Sequence, residues 1–174
     1  MFFFKNDLNQ KIQNWKLHKE DFYLNLAIKY FRQIADAINF LHTKNPRVIH
    51  RDLKPKNIFL KSDEVIKVGD FGVSTFVKNA PRESNELLSE QTYVGTYCYR
   101  APEVLSLSDY NESIDIWAIA CIIFECIKFE LAFPLAKQRD LIDFFKSIKS
   151  SSLSHIPDLE LDSKYEKLSQ LYKE

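Results

Sequence analysis

The sequence predicts an α+β domain that is mostly helical with a few short strands, on three observations. From Tyr23 to His42 the apolar residues Leu24, Ile28, Phe31, Ile34, Ile38 and Leu41 recur at steps of three and four, the period of one buried helix face. Three short β-branched or aromatic runs, Val48-Ile49, Ile58-Phe59-Leu60 and Val65-Ile66-Lys67-Val68, are separated by polar stretches, as small strands are. Ile114 to Ile127 is apolar almost all round, which predicts a helix enclosed by the core.

Along the chain, Pro46 ends the first long helix, because proline lacks the N–H that the ladder needs. The second and third strands are joined by the turn-like Lys61-Ser62-Asp63-Glu64. Lys78 to Gln91 carries Pro81 among serines, asparagines and charges without an apolar period, and is expected to be a long loop. Arg139 to Lys149 suggests an amphipathic helix, and Tyr165 begins another that runs to the end. No internal repeat or low-complexity linker interrupts the 174 residues, and 45% hydrophobic content suffices for one sizeable core, so residues 1–174 are expected to form one domain.

Composition excludes several classes. The 24 basic and 24 acidic side chains cancel, leaving no long-range field to gather nucleic acid or an anionic membrane. The longest apolar run, Ala118 to Phe124, is stopped by Glu125, far short of a membrane span. Phe2-Phe3-Phe4 is too short for a signal-peptide core. Cys98, Cys121 and Cys126 are odd in number without C-x-x-C spacing, against a disulfide framework or a zinc knuckle. The expected location is a reducing compartment, the cytoplasm or the nucleus. The three glycines, Gly69, Gly72 and Gly95, cannot form a G-x-G-x-x-G or P-loop pattern.

The chemistry concentrates in His50-Arg51-Asp52-Leu53-Lys54-Pro55-Lys56-Asn57, a knot of charge between two apolar runs. Loops held by a scaffold commonly carry functional groups. Asp70-Phe71-Gly72 follows the third strand directly, and Ala101-Pro102-Glu103 comes later. Singly, each has a plain reading: a turn for the tripeptide, a core histidine for His50, a surface ion pair for Asp52 and Lys54. Their joint order and context do not.

Together these pieces resemble the H-R-D-x-K-x-x-N, D-F-G and A-P-E signatures of the larger, C-terminal lobe of eukaryotic protein kinases. The resemblance covers nearly the whole sequence, with residues 70–103 as the activation segment. It implies ATP and Mg²⁺ as cofactors and transfer of the γ-phosphoryl group, a reaction catalysed mainly by positioning and charge neutralisation. Asp52 would accept or orient the proton of the substrate hydroxyl. Asn57 and Asp70 would ligate magnesium through oxygen.

Lys54 and Thr96 resemble the serine/threonine class, in which the ammonium neutralises the γ-phosphate and the hydroxyl meets Asp52 and Lys54. Protein Ser/Thr hydroxyls are the implied acceptors. His50 and Phe71 resemble the lower part of a hydrophobic spine, and Asp115 resembles the carboxylate that anchors the catalytic loop. Phe59 matches the residue beneath adenine, though plain strand core explains it equally well. Asp7 is placed like the acid that meets the ribose. Arg51 suggests a phosphate receptor, with Thr92 and then Ser89 as sites that an upstream kinase would modify.

Residues 6–12 (NDLNQKI), 50–60 (HRDLKPKNIFL), 68–77 (VGDFGVSTFV) and 92–96 (TYVGT) are similar to NIMA-related serine/threonine kinases. Tyr97-Cys98-Tyr99-Arg100 and Ala120 depart from that group's pattern. The resemblance begins at the segment joining the two lobes, so the N-lobe, with its glycine-rich loop and strand lysine, is expected to be absent, as are the last helices. Glu103 is then expected to lack its usual arginine, and the chain to be nearly inactive alone. A non-catalytic binding or scaffold module is the alternative.

Overall fold

The structure is a computed structural model that describes residues 6–18, 23–62, 65–76, 96–134, 139 and 141–145. Residues 1–142 form one compact unit and 143–174 another. In the second unit residues 143–145 are helical, with the Phe144 and Phe145 rings edge-on at 5.5 Å. The expected loop 78–91, most of the activation segment, the end of the 139–149 helix and the helix from Tyr165 lie outside the described residues.

Strand β1 (Asn6–Asp7) leads into helix α1 (Leu8–His18), whose start is capped by Asp7 Oδ1 accepting the Gln10 N–H at 2.8 Å. Leu8, Ile12 and Trp15 recur at steps of four and three and are buried, with Trp15 stacked on Tyr30 of helix α2 (Tyr23–His42). Helix α2 has the expected bounds, but its buried line is Ala27, Tyr30, Ile34 and Ile38, and Ile28 is 39% exposed. Its early half is turned by one position from the expected face because Tyr30, packing on Trp15, fixes which side meets the core.

Strands β2 (Val48–Ile49), β3 (Ile58–Ser62) and β4 (Val65–Val68) fall where expected, with β3 running on through the Lys61-Ser62 part of the expected turn. Strand β5 (Thr75–Phe76) is additional. One sheet has the order β1-β3-β4 and the other pairs β2 with β5, all antiparallel. Helix α3 (Pro102–Leu105) begins with proline, which suits the first helical position.

Helix α4 (Ser113–Lys128) puts Ala118, Ile119, Ile122 and Cys126 into the core with α1, α2 and the β3–β4 hairpin. Its enclosure is incomplete in unit 1, where Ile116 is 56% exposed. No described helix is long and apolar enough to cross a membrane.

Candidate active site

Two paired ladders bring the polar loops together. Residues 50–57 run from β2 to β3, and residues 69–74 run from β4 to β5. Because β2 pairs with β5 and β3 with β4, both ends of each loop are tied to the ends of the other. Three hydrogen bonds stitch the gap: Gly69 N–H to Asn57 O at 3.0 Å, His50 Nε2 with Gly69 O at 3.0 Å, and Ser74 Oγ to His50 O at 3.2 Å. Asp52, Asn57 and Asp70 therefore gather at one end of the β3–β4 hairpin.

Within the first loop, Lys54 Nζ donates to Asp52 Oδ2 at 2.6 Å, with both side chains less than one-fifth exposed (19% and 18%). Asn57 Nδ2 donates to Asp52 O at 2.8 Å and to Asp52 Oδ2 at 3.0 Å. The 3₁₀ turn Pro55–Asn57, closed by Asn57 N–H to Lys54 O at 2.9 Å, sets this spacing. Both donors use Oδ2, and among the described residues nothing donates to Asp52 Oδ1. The amide's orientation likewise leaves the Asn57 oxygen available as an acceptor.

The loop's backbone is held from α4. Asp115, 1% exposed, accepts the His50 N–H at Oδ2 and the Arg51 N–H at Oδ1, each at 2.9 Å. His42 Nε2 lies 2.8 Å from Asp115 Oδ2. Arg51 sits at φ 74, a left-handed conformation costly for a residue with a Cβ, and its guanidinium lies 5.8 Å from the centre of the Tyr110 ring. Burial pushes the His50 imidazole below its usual range, against the nearby charges of Asp115, Asp52 and Asp70.

Asp70, exposed and at φ 64, is the second left-handed residue. Phe71 lies 4.9 Å from the His50 ring centre but is 47% exposed. Phe59 packs over Gly69, where a Cβ would come within 2.8 Å of its ring. Asp7 is the register partner of Phe59 across β1 and β3, with Oδ1 engaged in the α1 cap.

No group of three or more His, Cys, Asp or Glu side chains that could hold a metal occurs among the described residues. The Asn57 oxygen and the Asp70 carboxylate are hard donors that fit magnesium with further ligands from phosphate and water.

Thr96 begins a 3₁₀ turn, Thr96–Tyr99, which the Tyr99 hydroxyl ties to α4 by donating to Glu125 Oε2. Burial pushes the Glu125 carboxyl up, the Tyr99 hydrogen bond working against it. Glu103 is half-buried at the start of α3. Ser89 and Thr92 lie outside the described residues. His42 and Glu125 were not foreseen. Glu125 alone carried a signal, a carboxylate inside an apolar helix.

A family model described as "Protein kinase domain" matches residues 2–174. Similar proteins include eukaryotic translation initiation factor 2-alpha kinase 3 of Rattus norvegicus, 32% identical over 81% of this chain and 13% of its own length. Serine/threonine-protein kinase Nek11 is 39% identical in Mus musculus over 73% of this chain and 19% of its own length. In Homo sapiens it is 40% identical over 68% and 17%. The chain thus spans less than a fifth of these relatives' length. By the match along nearly its whole length, the chain belongs to the protein kinase domain family.

Proposed function

We propose that residues 1–174 are the hinge and larger lobe of a serine/threonine protein kinase that transfers the γ-phosphoryl group of ATP to protein Ser/Thr hydroxyls. The observation that carries this reading is the convergence of Asp52, Lys54, Asn57 and Asp70 on one edge. Asp52 Oδ1 faces no described donor and takes the acceptor hydroxyl's proton. Lys54 and Asn57 fix the other oxygen so that the carboxylate does not rotate, and Lys54 also offsets phosphate charge. Magnesium, when bound with ATP, would be held by Asn57 and Asp70 and would neutralise phosphate charge.

A second lobe completes the site in this reading. A groove of about 520 Å³ opens between α2 and β4, lined by Phe40, Leu41, Val65, Val68 and Phe71, and Phe59 needs a roof to exclude water from a bound adenine. Arg51 receives phosphate on Thr92, or secondarily Ser89, which orders the activation segment.

The test is labelled-phosphate transfer to a protein substrate by residues 1–174, alone and joined to a glycine-loop lobe. Activity is expected only when joined. Asp52→Asn abolishes transfer there, and Asp70→Asn chiefly weakens magnesium-dependent nucleotide use. Equal labelling with either substitution refutes the assignment.

A further inference from the structure

Ser74 closes the loop that carries Asp70, and the proposed chemistry gives its hydroxyl no part. Its own N–H donates to Phe71 O at 3.1 Å, which folds the loop back just before β5. Thr75, the next residue, is the register partner of Ile49 across β2 and β5, so Ser74 comes opposite His50 where that ladder ends. There its half-buried side chain reaches across, and Oγ donates to His50 O at 3.2 Å.

The acceptor is one end of the peptide unit that joins His50 to Arg51. At the other end the Arg51 N–H donates to Asp115 Oδ1 at 2.9 Å. A peptide unit is planar, so a donor on its oxygen and an acceptor on its N–H together fix how the plane is turned. That turn is the Arg51 φ of 74, a left-handed value that a residue with a Cβ leaves unless its surroundings impose it. Asp52 follows directly, and swinging the plane back re-aims it. Asp115 holds the N–H from α4, and Ser74 holds the carbonyl from the Asp70 loop. His50 is fully buried, so a carbonyl that loses the hydroxyl has little water to replace it.

We infer that Ser74 is a positioning residue for Asp52, clamping the strained His50–Arg51 peptide from the loop that carries Asp70. This rests on Asp52 being the group that receives the acceptor's proton. The two acids are then linked through one hydroxyl. If residues 70–74 swing away, His50 O loses its donor, Arg51 relaxes and Asp52 turns with it, so the two loops come into working position together.

Amide hydrogen exchange on residues 1–174 tests the clamp and needs no second lobe. Ser74→Ala is expected to quicken exchange at Arg51 about 3- to 10-fold more than in the β3–β4 hairpin, with Tm lower by about 1–6 °C. A serine that only adds stability would quicken both alike. The chain joined to a glycine-loop lobe tests the consequence at a temperature where every variant is folded. Ser74→Ala lowers kcat about 3- to 10-fold with the KM for ATP unchanged, and Ser74→Thr, which keeps the hydroxyl, recovers most of it.

Exchange at Arg51 that quickens no more than the hairpin's, an unchanged kcat, or Ser74→Thr no better than Ser74→Ala overturns the inference. If Asp52→Asn abolishes transfer in the same preparation, the reading of the site survives that failure. If Asp52→Asn transfers normally, that reading and this inference fall together.

Discussion

Asp115→Ala removes the acceptor for two backbone amides. His50 is fully buried, so its N–H has no water to turn to, and an unsatisfied buried donor costs about 1–3 kcal/mol. Arg51 is half-buried, so its N–H partly regains water and stands near the low end of that range. Arg51 also holds φ 74, a strain of about 1–3 kcal/mol that persists only while its neighbours impose it. Without the Asp115 bond the loop can relax from that conformation, which limits the loss but moves Asp52.

The expected cost is about 3–5 kcal/mol, a large part of the stability of an ordinary domain, or about 6–20 °C in Tm at this chain length. Asp115→Asn keeps one acceptor oxygen and turns an NH₂ toward the other amide, so about half that loss is expected. Thermal unfolding gives the magnitude, and amide hydrogen exchange at His50 and Arg51 gives the place. An alanine variant melting within about 2 °C of the parent, with both amides as protected as before, refutes the anchoring argument.

Gly69→Ala brings a Cβ to 2.8 Å from Phe59 Cε2 and 3.1 Å from Cδ2, so the ring must move, at about 1–3 kcal/mol. Thermal unfolding should show that loss and its partial relief by adding Phe59→Leu, and no relief would mean that the ring is not the obstacle. Burial holds the Glu125 carboxyl above 4.5, so the native state binds this proton more tightly than the unfolded chain. Its contribution to stability is full below that value and is lost as pH rises through the raised one. Glu125→Gln keeps an acceptor for Tyr99 without that loss, and its Tm should decline less than the parent's as pH rises above 4.5. Parallel curves would reject the assignment.

Strands β2, β3 and β4 and both long helices were legible because their apolar patterns are local. The grouping of Asp52, Lys54, Asn57 and Asp70 was legible because polar and charged residues bracketed by strand-forming runs have few structural uses. Helix α1 was not, since Leu8, Ile12 and Trp15 make one short line in a polar stretch and packing on α2 makes it a core element. Strand β5 has two residues and exists through its pairing with β2. His42 gains its role from a residue distant in the chain, Asp115, so no local pattern announces it. Glu125 was legible by the argument used for Asp115, but it was read only as the end of an apolar run.

The two non-glycine residues near the site with left-handed backbone, Arg51 and Asp70, show where the fold works against local preference. Each lies within one of the stitched loops, and each neighbours His50 or Gly69, whose side chain and carbonyl meet at 3.0 Å. For Arg51 the Asp115 carboxylate offsets the strain directly through its amide. For Asp70 no described donor meets the carboxylate, so its strain is supported from the backbone on either side while the side chain remains exposed. A position that mattered only for stability would favour glycine, which takes this conformation without steric cost. In the proposed reading, the exposed Asp70 carboxylate held there against that preference serves a ligand that the chain itself does not supply.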